Sequence, residues 1–428
     1  MPGAFRRSKQ PGRAGRIMAD QARTGHGDAD IDGRYAWMRL AVSVLIATVG
    51  GVGLWAVVLV LPAVQAEFGV DRAAASLPYT LTMVGFGVGN LLIGRIIDRF
   101  GFMLPAIAAT LMLGAGFILA AEAPSLTASA VLQGFFIGIG AAATFGPLIA
   151  DISHWFQRYR GFAVTSAACG SYFAGVIWPF IIAPITEHQG WRAAYTDIGI
   201  ICLVTMLPLL FFLRRKSPHQ ERGAEAAPAP ALKAISVSPR MLQIILSIAG
   251  VGCCAAMSMP QVHMVAYCTD LGYGATRGAE MLSLMLVGGV FSRLGSGIIA
   301  DRIGGIRTLL AGSILQGISL FLYLPFHSLV SLYTISLIFG LSQGGIVPCY
   351  AIIVREYLPA AEAGKRVGIV ITATLAGMAF GGWISGWIYD QTGSYEAAFL
   401  NGIGWNILNI AMMTLLLWRA GSPRAAMA

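Results

Sequence analysis

A single arginine, Arg293, lies inside a strongly apolar segment, eight residues before Asp301. At a helical rise of about 1.5 Å per residue this spacing corresponds to about 12 Å, which is close to the middle of a membrane core of roughly 30 Å. A charge at that depth is costly unless it meets a cavity or a partner. A guanidinium can bind a carboxylate through two parallel hydrogen bonds. We therefore predict that Arg293 binds an anion; the alternative is a structural group paired with backbone carbonyls or a neighbouring helix.

Three titratable residues near the ends of apolar segments are candidates for carrying a proton: His263, Asp151 and Glu67. Histidine changes its charge between about pH 5 and 8, which suits a proton switch. No Asp or Glu falls in the middle of an apolar segment. The alternative for His263 is a hydrogen-bonding group at a helix end.

The elements that position these residues must be membrane helices, because 56% of the 428 residues are hydrophobic and only 11% are charged. A membrane-spanning helix needs about 20 mainly apolar residues. Twelve such stretches run approximately from 40–62, 77–97, 102–121, 127–150, 161–184, 194–213, 241–266, 279–300, 306–325, 328–353, 367–389 and 396–418. The sequence therefore predicts an all-α membrane protein with twelve transmembrane helices.

Polar segments divide the chain into two six-helix bundles, 35–213 and 241–419, joined by a cytoplasmic linker at 214–240. Residues 1–34 are predicted to be a disordered basic tail, and 420–428 a short C-terminal tail. With both termini in the cytoplasm, 25 of the 29 Lys and Arg residues fall on the cytoplasmic side, as the positive-inside rule requires. The net charge of +9 is thus explained by topology and anionic lipid, without nucleic acid.

The six cysteines lie in or beside apolar segments at irregular spacings, which predicts neither a disulfide framework nor a metal site. No arrangement of a nucleophile and a base at catalytic spacing is present in the sequence either. We expect no cofactor, no metal and no enzymatic activity.

The two halves of the sequence repeat one another. GRIIDRFG, 94–101, and GIIADRIG, 297–304, share the pattern Gly-x-x-x-Asp-Arg-x-Gly at one offset (297 − 94 = 203), and Pro147 matches Pro348 at a similar one (348 − 147 = 201). The residues of this pattern are Gly94, Asp98, Arg99 and Gly101 in the first copy and Gly297, Asp301, Arg302 and Gly304 in the second. Two related bundles of six helices follow from this repeat.

Parallel six-helix repeats with an Asp-Arg turn after the second helix of each resemble the major facilitator superfamily of secondary transporters. The resemblance covers about residues 37–418 and implies two bundles that face each other across a central cavity. It also implies that the eight repeated residues form a conformational gate motif, in which the Asp caps a neighbouring helix or pairs with an Arg. The alternative is two ordinary cytoplasmic turns.

A narrower resemblance concerns the segments WFQRYRGFA, 155–163, and HMVAYCTDLG, 263–272, which are similar to those of monocarboxylate and oxalate/formate carriers. Monocarboxylate carriers hold an Arg in helix 8 at the place of Arg293. The sequence departs from them at Gly289, where a carboxylate often stands, and it lacks the Lys found in helix 1 or helix 11 of these carriers. Arg293 is then the only fixed positive charge expected in the cavity, which implies a substrate with one negative charge.

The repeat also relates Asn90 to Arg293 (293 − 90 = 203), so Asn90 is expected at a matching depth, either beside the same ligand or in a helix-helix hydrogen bond. The other residues expected to line the cavity are Trp55, Tyr79, Tyr172, Trp178, Gln343, Tyr350 and Trp383. The alternative is that these side chains face lipid or pack between helices instead of lining the cavity.

Together these features predict a secondary transporter that moves a small monocarboxylate or related organic anion by alternating access, with proton symport. We expect a monomer in a bacterial inner membrane. The alternatives are an organic anion exchanger, an efflux carrier for amphipathic compounds and a transporter-like sensor. The basic residue that drug/proton antiporters usually carry in helix 4 is Ala130 here, which weakens the case for drug efflux.

Overall fold

The computed structural model describes residues 31–215, 233 and 235–420. In this part of the chain twelve helices are long and apolar enough to cross a membrane, as predicted. They are α1 Arg34–Phe68, α2 Arg72–Ile97, α3 Met103–Ala121, α4 Leu126–Ser153, α5 Arg160–Gln189, α6 Trp191–Phe211, α7 Pro239–Asp270, α8 Ala275–Ile303, α9 Gly305–Leu322, α10 Leu329–Tyr357, α11 Glu362–Thr392 and α12 Tyr395–Ala420. Residues 1–30 of the predicted N-terminal tail, 421–428 of the predicted C-terminal tail and most of the predicted linker lie outside the described residues.

Several helices begin or end differently from the hydropathy prediction. α1 starts at Arg34 and α7 at Pro239, which lies within the predicted linker. The early start of α7 is explained by Ser238, because its hydroxyl accepts a hydrogen bond from the Met241 amide and caps the helix. Arg72, predicted in an outer loop, instead begins α2 after the cap residue Asp71. Polar and charged residues can thus extend a membrane helix beyond its apolar core.

α4 and α10 are interrupted at equivalent places. α4 departs from α-helical geometry at 143–145 and resumes as Gly146–Ser153, and α10 is broken between Gln343 and Ile346. Pro147 and Pro348 lie in the first turn of the second segment in each case. A first-turn proline removes no helical hydrogen bond, because the amides there have no partner within the helix. The matched prolines therefore mark these interruptions.

Close helix packing is also repeated in the two halves, which we call the N-terminal half (α1–α6) and the C-terminal half (α7–α12). A Cβ at Gly85 of α2 would collide with the Gly134 carbonyl of α4, and one at Gly288 of α8 would lie 2.8 Å from the Leu337 carbonyl of α10. The two glycines are related by the repeat offset, and so are the two residues whose carbonyls they face (288 − 85 and 337 − 134 are each 203). Glycine thus allows the same backbone contact in each bundle.

The halves touch each other where α2 meets α11 and where α5 meets α8. We call the side carrying Arg34 cytoplasmic, as the charge distribution predicts, and the opposite side outer. Thr80 donates to the Ala379 carbonyl over 3.2 Å, and Thr276 donates to Glu187 over 3.3 Å, both in the outer part of these helices. Toward the cytoplasmic side, a Cβ at Gly94 or Gly297 would meet nothing within 4 Å. The hydrogen bonds of Thr80 and Thr276 therefore join the halves in the outer part of the boundary, and Gly94 and Gly297 leave space around them toward the cytoplasmic side.

Candidate functional site

Arg293 lies on α8 at the boundary of the two halves and is only 9% exposed. Its Nε donates to the Gly344 carbonyl, at the interruption of α10, over 3.3 Å. Its Nη1 donates across the boundary to the Ala168 carbonyl of α5 over 2.8 Å. The guanidinium carbon lies 4.2 Å from the centre of the Tyr172 ring, in a cation–π contact with the same helix. Three helices from both halves therefore fix the position of this arginine.

The guanidinium has binding capacity left. An arginine carries five N–H donors, and Nη2 makes no hydrogen bond to the described residues, yet it is not completely enclosed. No salt bridge joins Arg293 to an Asp or Glu in the described part of the chain. The contacts of Arg293 are neutral, so its positive charge has no fixed counter-ion there.

Among the other predicted cavity residues, Tyr172 and Trp55 lie at the same boundary. Tyr172 is the aromatic partner of Arg293. The Trp55 indole donates to the Ser171 carbonyl over 2.8 Å and packs against Gly175, which also contacts Leu286 of α8. The indole and the phenol ring therefore form part of the surface on which α5 meets α8.

Asn90, the repeat partner of Arg293, does not contact it. Its side-chain amide donates to the Phe86 carbonyl of its own helix over 2.8 Å, and its oxygen lies beside Gly146 of α4. Asn90 and Arg293 thus occupy comparable places, each beside the interrupted helix of its own half. The short asparagine side chain, unlike the arginine, does not extend to the other half.

The remaining predicted cavity residues are divided between the boundary and the interior of each half. Tyr79 packs against Gly382 of α11, and its buried hydroxyl has no hydrogen-bond partner among the described residues. Trp178 donates to the Thr48 carbonyl within the N-terminal half. Tyr350 donates to Asn409 inside the C-terminal half, away from Arg293. The others are Gln343, which pairs with Gln261, and the half-buried Trp383.

Two of the three proton candidates are held by arginines within the N-terminal half. Asp151 accepts two hydrogen bonds from the buried Arg39, at 2.7 and 2.8 Å. Glu67 is partly exposed at the outer side and accepts from Arg192 over 2.8 Å and from the Trp191 indole. These carboxylates are paired at opposite ends of the bundle, and neither contacts the C-terminal half in these bonds.

His263 belongs to a network that joins the halves, which we call the outer cluster: Arg72, Asp270, Asp390, Tyr395 and His263. Arg72 of α2 donates to the Tyr395 hydroxyl over 2.6 Å and to Asp270 over 3.2 Å. Asp390 accepts from the Arg72 and Ala73 amides at 2.8 and 2.7 Å. These bonds attach the beginning of α2 to the ends of α7 and α11 and to the start of α12.

The imidazole of His263 lies at the inner end of the outer cluster. Its Nε2 is 2.8 Å from the Gly382 carbonyl, which requires a proton on Nε2. Its Nδ1 is 3.3 Å from the Tyr395 hydroxyl. Because that hydroxyl accepts from Arg72, its proton is available to Nδ1. The neutral imidazole therefore has both nitrogens bonded in this conformation.

The gate motif forms two turns with different supports. Gly101 and Gly304 end their helices at φ 77° and 86°, a region that favours glycine. Asp301 and Arg302 are exposed, and Asp301 forms no hydrogen bond or ion pair within the described residues. The side chain of Asp98 lies outside the described part, and Arg99 packs over Phe100.

The C-terminal copy is held instead by Glu356 at the end of α10. Its carboxylate accepts from the Gly305 amide, at the start of α9, over 3.1 Å. It also accepts from Lys233 of the linker over 2.5 Å. The capping role expected of the motif aspartate is thus filled by a glutamate 55 residues later (356 − 301).

Sequence reasoning missed Glu356, Gln261 and the members of the outer cluster other than His263. Arg72, Asp270 and Asp390 all stand at predicted outer helix ends, which is a weak signal that charges are available there. Gln261 is a polar residue within an apolar stretch, the same signal that identified Arg293. The sequence did not indicate that these residues meet.

Twelve helices in two repeated halves, with a buried polar site at their boundary, define the protein as a multi-pass membrane carrier. The profile of the Major Facilitator Superfamily matches residues 43–309 and 270–426. The chain therefore belongs to this superfamily, and it is a transporter rather than an enzyme.

Known relatives include transporters with different named substrates. Monocarboxylate transporter 13 of Bos taurus is 25% identical over 328 residues, covering 76% of this chain and 75% of the relative. MFS-type transporter pynF of Aspergillus niger is 23% identical over 340 residues, covering 79% and 77%. The Fujikurins efflux protein of Gibberella fujikuroi is 27% identical over 288 residues, covering 67% and 60%. All three similarities support the family, and the first also supports the narrower resemblance to monocarboxylate carriers.

Proposed function

We propose that this transporter carries a small organic acid with a single carboxylate and that Arg293 binds that carboxylate. One observation carries the proposal: a buried guanidinium at the boundary of the halves has no acidic partner in the described chain and keeps Nη2 available. A buried charge without a counter-ion is costly. An anionic substrate supplies the missing charge when it binds.

The arrangement of the site also supports alternating access. Arg293 belongs to the C-terminal half but donates to Ala168 of the N-terminal half. A carboxylate at Nη2 adds to this link or replaces it, so substrate binding changes the strength of the contact between the halves. A ligand that binds one conformation better than another shifts the balance between them.

The outer cluster is the corresponding closure on the outer side. Arg72 joins the halves there through Asp270 and Tyr395 and is 6% exposed. Beside it is a cavity of about 330 Å³ between the outer ends of α1 and α7, with Asp270 in its lining. Access to Arg293 from the outer side requires these bonds to break, whereas the cytoplasmic ends of α2 and α8 have no comparable contact at Gly94 and Gly297.

For proton coupling we propose His263. It is the one of the three candidates whose hydrogen bonds lead to a residue of the other half, through Tyr395 and Arg72. A proton on Nδ1 would remove its acceptor site and place a second positive charge near Arg72, which favours opening of the outer cluster. In liposomes, His263→Asn is then expected to bind the acid normally but to lose uptake driven by a pH gradient. Unchanged gradient-driven uptake would assign coupling elsewhere or favour anion exchange.

The relatives support two substrate classes. Monocarboxylate transporter 13 is named for a monocarboxylate, and the Fujikurins efflux protein for export of fujikurins. Arg293 has no acidic partner in the described part of the chain, which favours the carboxylate. Efflux of a larger amphipathic compound remains the second candidate because of the latter relative. A bacterial inner membrane and a functional monomer complete the proposal.

The experiment that tests the proposal measures ligand binding to purified protein by the shift in melting temperature. The panel contains small monocarboxylates, dicarboxylates, neutral sugars and amphipathic cations, each tested with wild type and Arg293→Ala. Ligands that bind only the folded state raise the melting temperature as their concentration rises. Stabilisation by monocarboxylates that is lost in Arg293→Ala supports the proposed function. Stabilisation by cations alone, or by acids in both proteins, would contradict it.

A further inference from the structure

Two buried glutamines on different helices share a hydrogen bond, and each retains a polar atom without a partner. Nε2 of Gln261 on α7 donates to Oε1 of Gln343 on α10 over 2.8 Å. Their exposed fractions are 2% and 1%. Oε1 of Gln261 and Nε2 of Gln343 are enclosed and make no hydrogen bond to any residue that the structure describes. Within a membrane protein such atoms are costly, because lipid cannot replace the missing bond.

This result does not depend on how the two amides are oriented. Exchanging the oxygen and nitrogen positions of both side chains preserves the bond between them and again leaves one acceptor and one donor group. In either orientation of the amides, the pair therefore offers one hydrogen-bond donor and one acceptor to a third group. Nothing in the described residues uses them.

Other buried glutamines of the same protein are satisfied. Gln133 donates to Ser129 over 3.1 Å and accepts from Tyr195 over 3.2 Å. Gln316 donates to the Cys253 carbonyl over 3.3 Å and accepts from Asn406 over 3.2 Å. Both ends of each amide have partners. The Gln261–Gln343 pair thus differs from these two glutamines, whose amide oxygen and nitrogen each have a partner.

The pair is attached to the same interruption of α10 as Arg293. Gln343 is the last residue of the first segment of α10, and the next residue, Gly344, accepts the hydrogen bond from Arg293 Nε. One peptide unit therefore connects the backbone of Gln343 to the group that orients the guanidinium. A ligand bound to Arg293 lies beside this interrupted helix.

We infer that Gln261 and Gln343 bind a neutral group of the substrate that both donates and accepts a hydrogen bond, the smallest being a hydroxyl. The Gln343 amide donates to the hydroxyl oxygen, and the hydroxyl proton is donated to Gln261 Oε1. A keto oxygen satisfies only the donor, and a methylene satisfies neither. The inference rests on the proposed function and narrows its substrate class to hydroxylated monocarboxylates.

The test measures dissociation constants by titration calorimetry for acids with one carbon skeleton at a time. Propanoate is compared with 2-hydroxypropanoate and 2-oxopropanoate, and butanoate with its 3-hydroxy and 4-hydroxy forms. At least one hydroxy acid should bind about tenfold more tightly than its unsubstituted partner, because each added hydrogen bond contributes modestly to affinity. Equal affinities across both series would overturn the inference.

Variants of Gln261 and Gln343 test whether these two residues cause the preference for hydroxy acids. In the double variant Gln261→Leu/Gln343→Leu both amides are removed together, so no orphaned partner remains. It should bind hydroxy and unsubstituted acids equally while retaining binding that depends on Arg293. If the double variant does not reach the membrane, Gln343→Met, which removes the donor, must lose the same preference. A preserved preference in the folded variant would contradict the inference.

Gln316→Leu is the matched control, because Gln316 is an equally buried glutamine whose amide is satisfied inside the C-terminal half. It should retain the hydroxyl preference even if its melting temperature falls. Failure of the proposed function has a different signature, since no acid would then bind in an Arg293-dependent manner. Failure of this inference alone leaves Arg293-dependent binding without a hydroxyl preference.

Discussion

Two buried arginines cross the boundary between the halves in opposite directions and in different electrostatic surroundings. Arg72 extends from the N-terminal half to Asp270 and Tyr395 of the C-terminal half. Arg293 extends from the C-terminal half to the Ala168 carbonyl and the Tyr172 ring of the N-terminal half. Their exposed fractions are similar, at 6% and 9%. Within the described residues, Arg72 has a carboxylate partner and Arg293 has none.

The difference separates a closing contact from a binding contact. The charge of Arg72 is balanced by Asp270, so its contacts hold α2 against the C-terminal half without another ion. The charge of Arg293 meets neutral groups in the described residues, so an incoming anion gains more from it. Similar burial thus supports different functions, because the counter-ion is part of the protein in one case and is supplied by the proposed substrate in the other.

The largest expected effect is on transport by Arg293→Gln. Removing one partner of a buried charge pair costs about 2–5 kcal/mol, so uptake efficiency should fall by about 30-fold or more. The melting temperature without substrate should fall only modestly, because the neutral hydrogen bonds to Gly344 and Ala168 are lost while no carboxylate of the described chain loses its partner. Initial uptake rates and thermal unfolding of the same preparation measure both. Arg293→Lys, which keeps the charge but not the planar fork, should be intermediate.

The reverse pattern is expected for Asp270→Asn, which leaves Arg72 buried without its ion-pair partner. Because Asp270 is 30% exposed, the loss of stability should be about 1–3 kcal/mol, less than for a fully buried pair. Differential scanning measurements should show a lower melting temperature. Substrate affinity should change far less than in Arg293→Gln; a 100-fold loss of affinity would remove the distinction between the two arginines.

Labelling of a cysteine in the outer cavity tests whether Asp270→Asn opens the outer cluster. Gln65 lines the outer cavity beside Arg72, so a membrane-impermeant thiol reagent can report on opening there in a Gln65→Cys background. Labelling should increase when Asp270→Asn is added. The exchanged pair Arg72→Asp/Asp270→Arg should recover part of the protection.

A smaller effect is expected from the Tyr172 ring. A cation–π contact contributes about 0.5–2 kcal/mol, so Tyr172→Leu should weaken substrate binding several-fold by reducing the support of the guanidinium. Tyr172→Phe keeps the ring and is the control. Equal losses in both variants, measured by titration, would mean that the hydroxyl rather than the ring matters.

The smallest effect is expected at Thr80, which joins α2 to α11 through a neutral hydrogen bond. Thr80→Val conserves shape and removes a bond that contributes about 1 kcal/mol or less. Thermal unfolding should change slightly, and outer labelling at Gln65→Cys should rise less than with Asp270→Asn. A larger rise than in that variant would place the main closure at Thr80 instead of the outer cluster.

Much of the fold could be predicted because membrane helices follow local rules. A run of about 20 apolar residues identifies each span, and the repeated turns at Gly101 and Gly304 revealed the two halves. Helix ends were less predictable: Arg72 begins α2 through the cap residue Asp71, although hydropathy alone placed it in a loop. Capping depends on individual side-chain bonds, which a hydropathy average does not include.

The candidate site was predicted only in part. Arg293 was identified because a charge in an apolar segment is costly wherever that segment folds. Tyr350 and Trp178 were expected in the cavity on residue type, yet their hydrogen bonds lie within single halves. Which face a membrane aromatic occupies depends on the neighbouring helices, so its type alone does not fix its role.

The sequence by itself determined that this protein spans a membrane with two related six-helix halves and that it holds one arginine deep in the second. These properties follow from composition, periodic repetition and the cost of burying charge. Only the tertiary structure decided that Arg72 meets Asp270 while Arg293 meets neutral groups, and that Gln261 pairs with Gln343. Such contacts join residues far apart in the chain, because the packing of helices brings their side chains within hydrogen-bond distance.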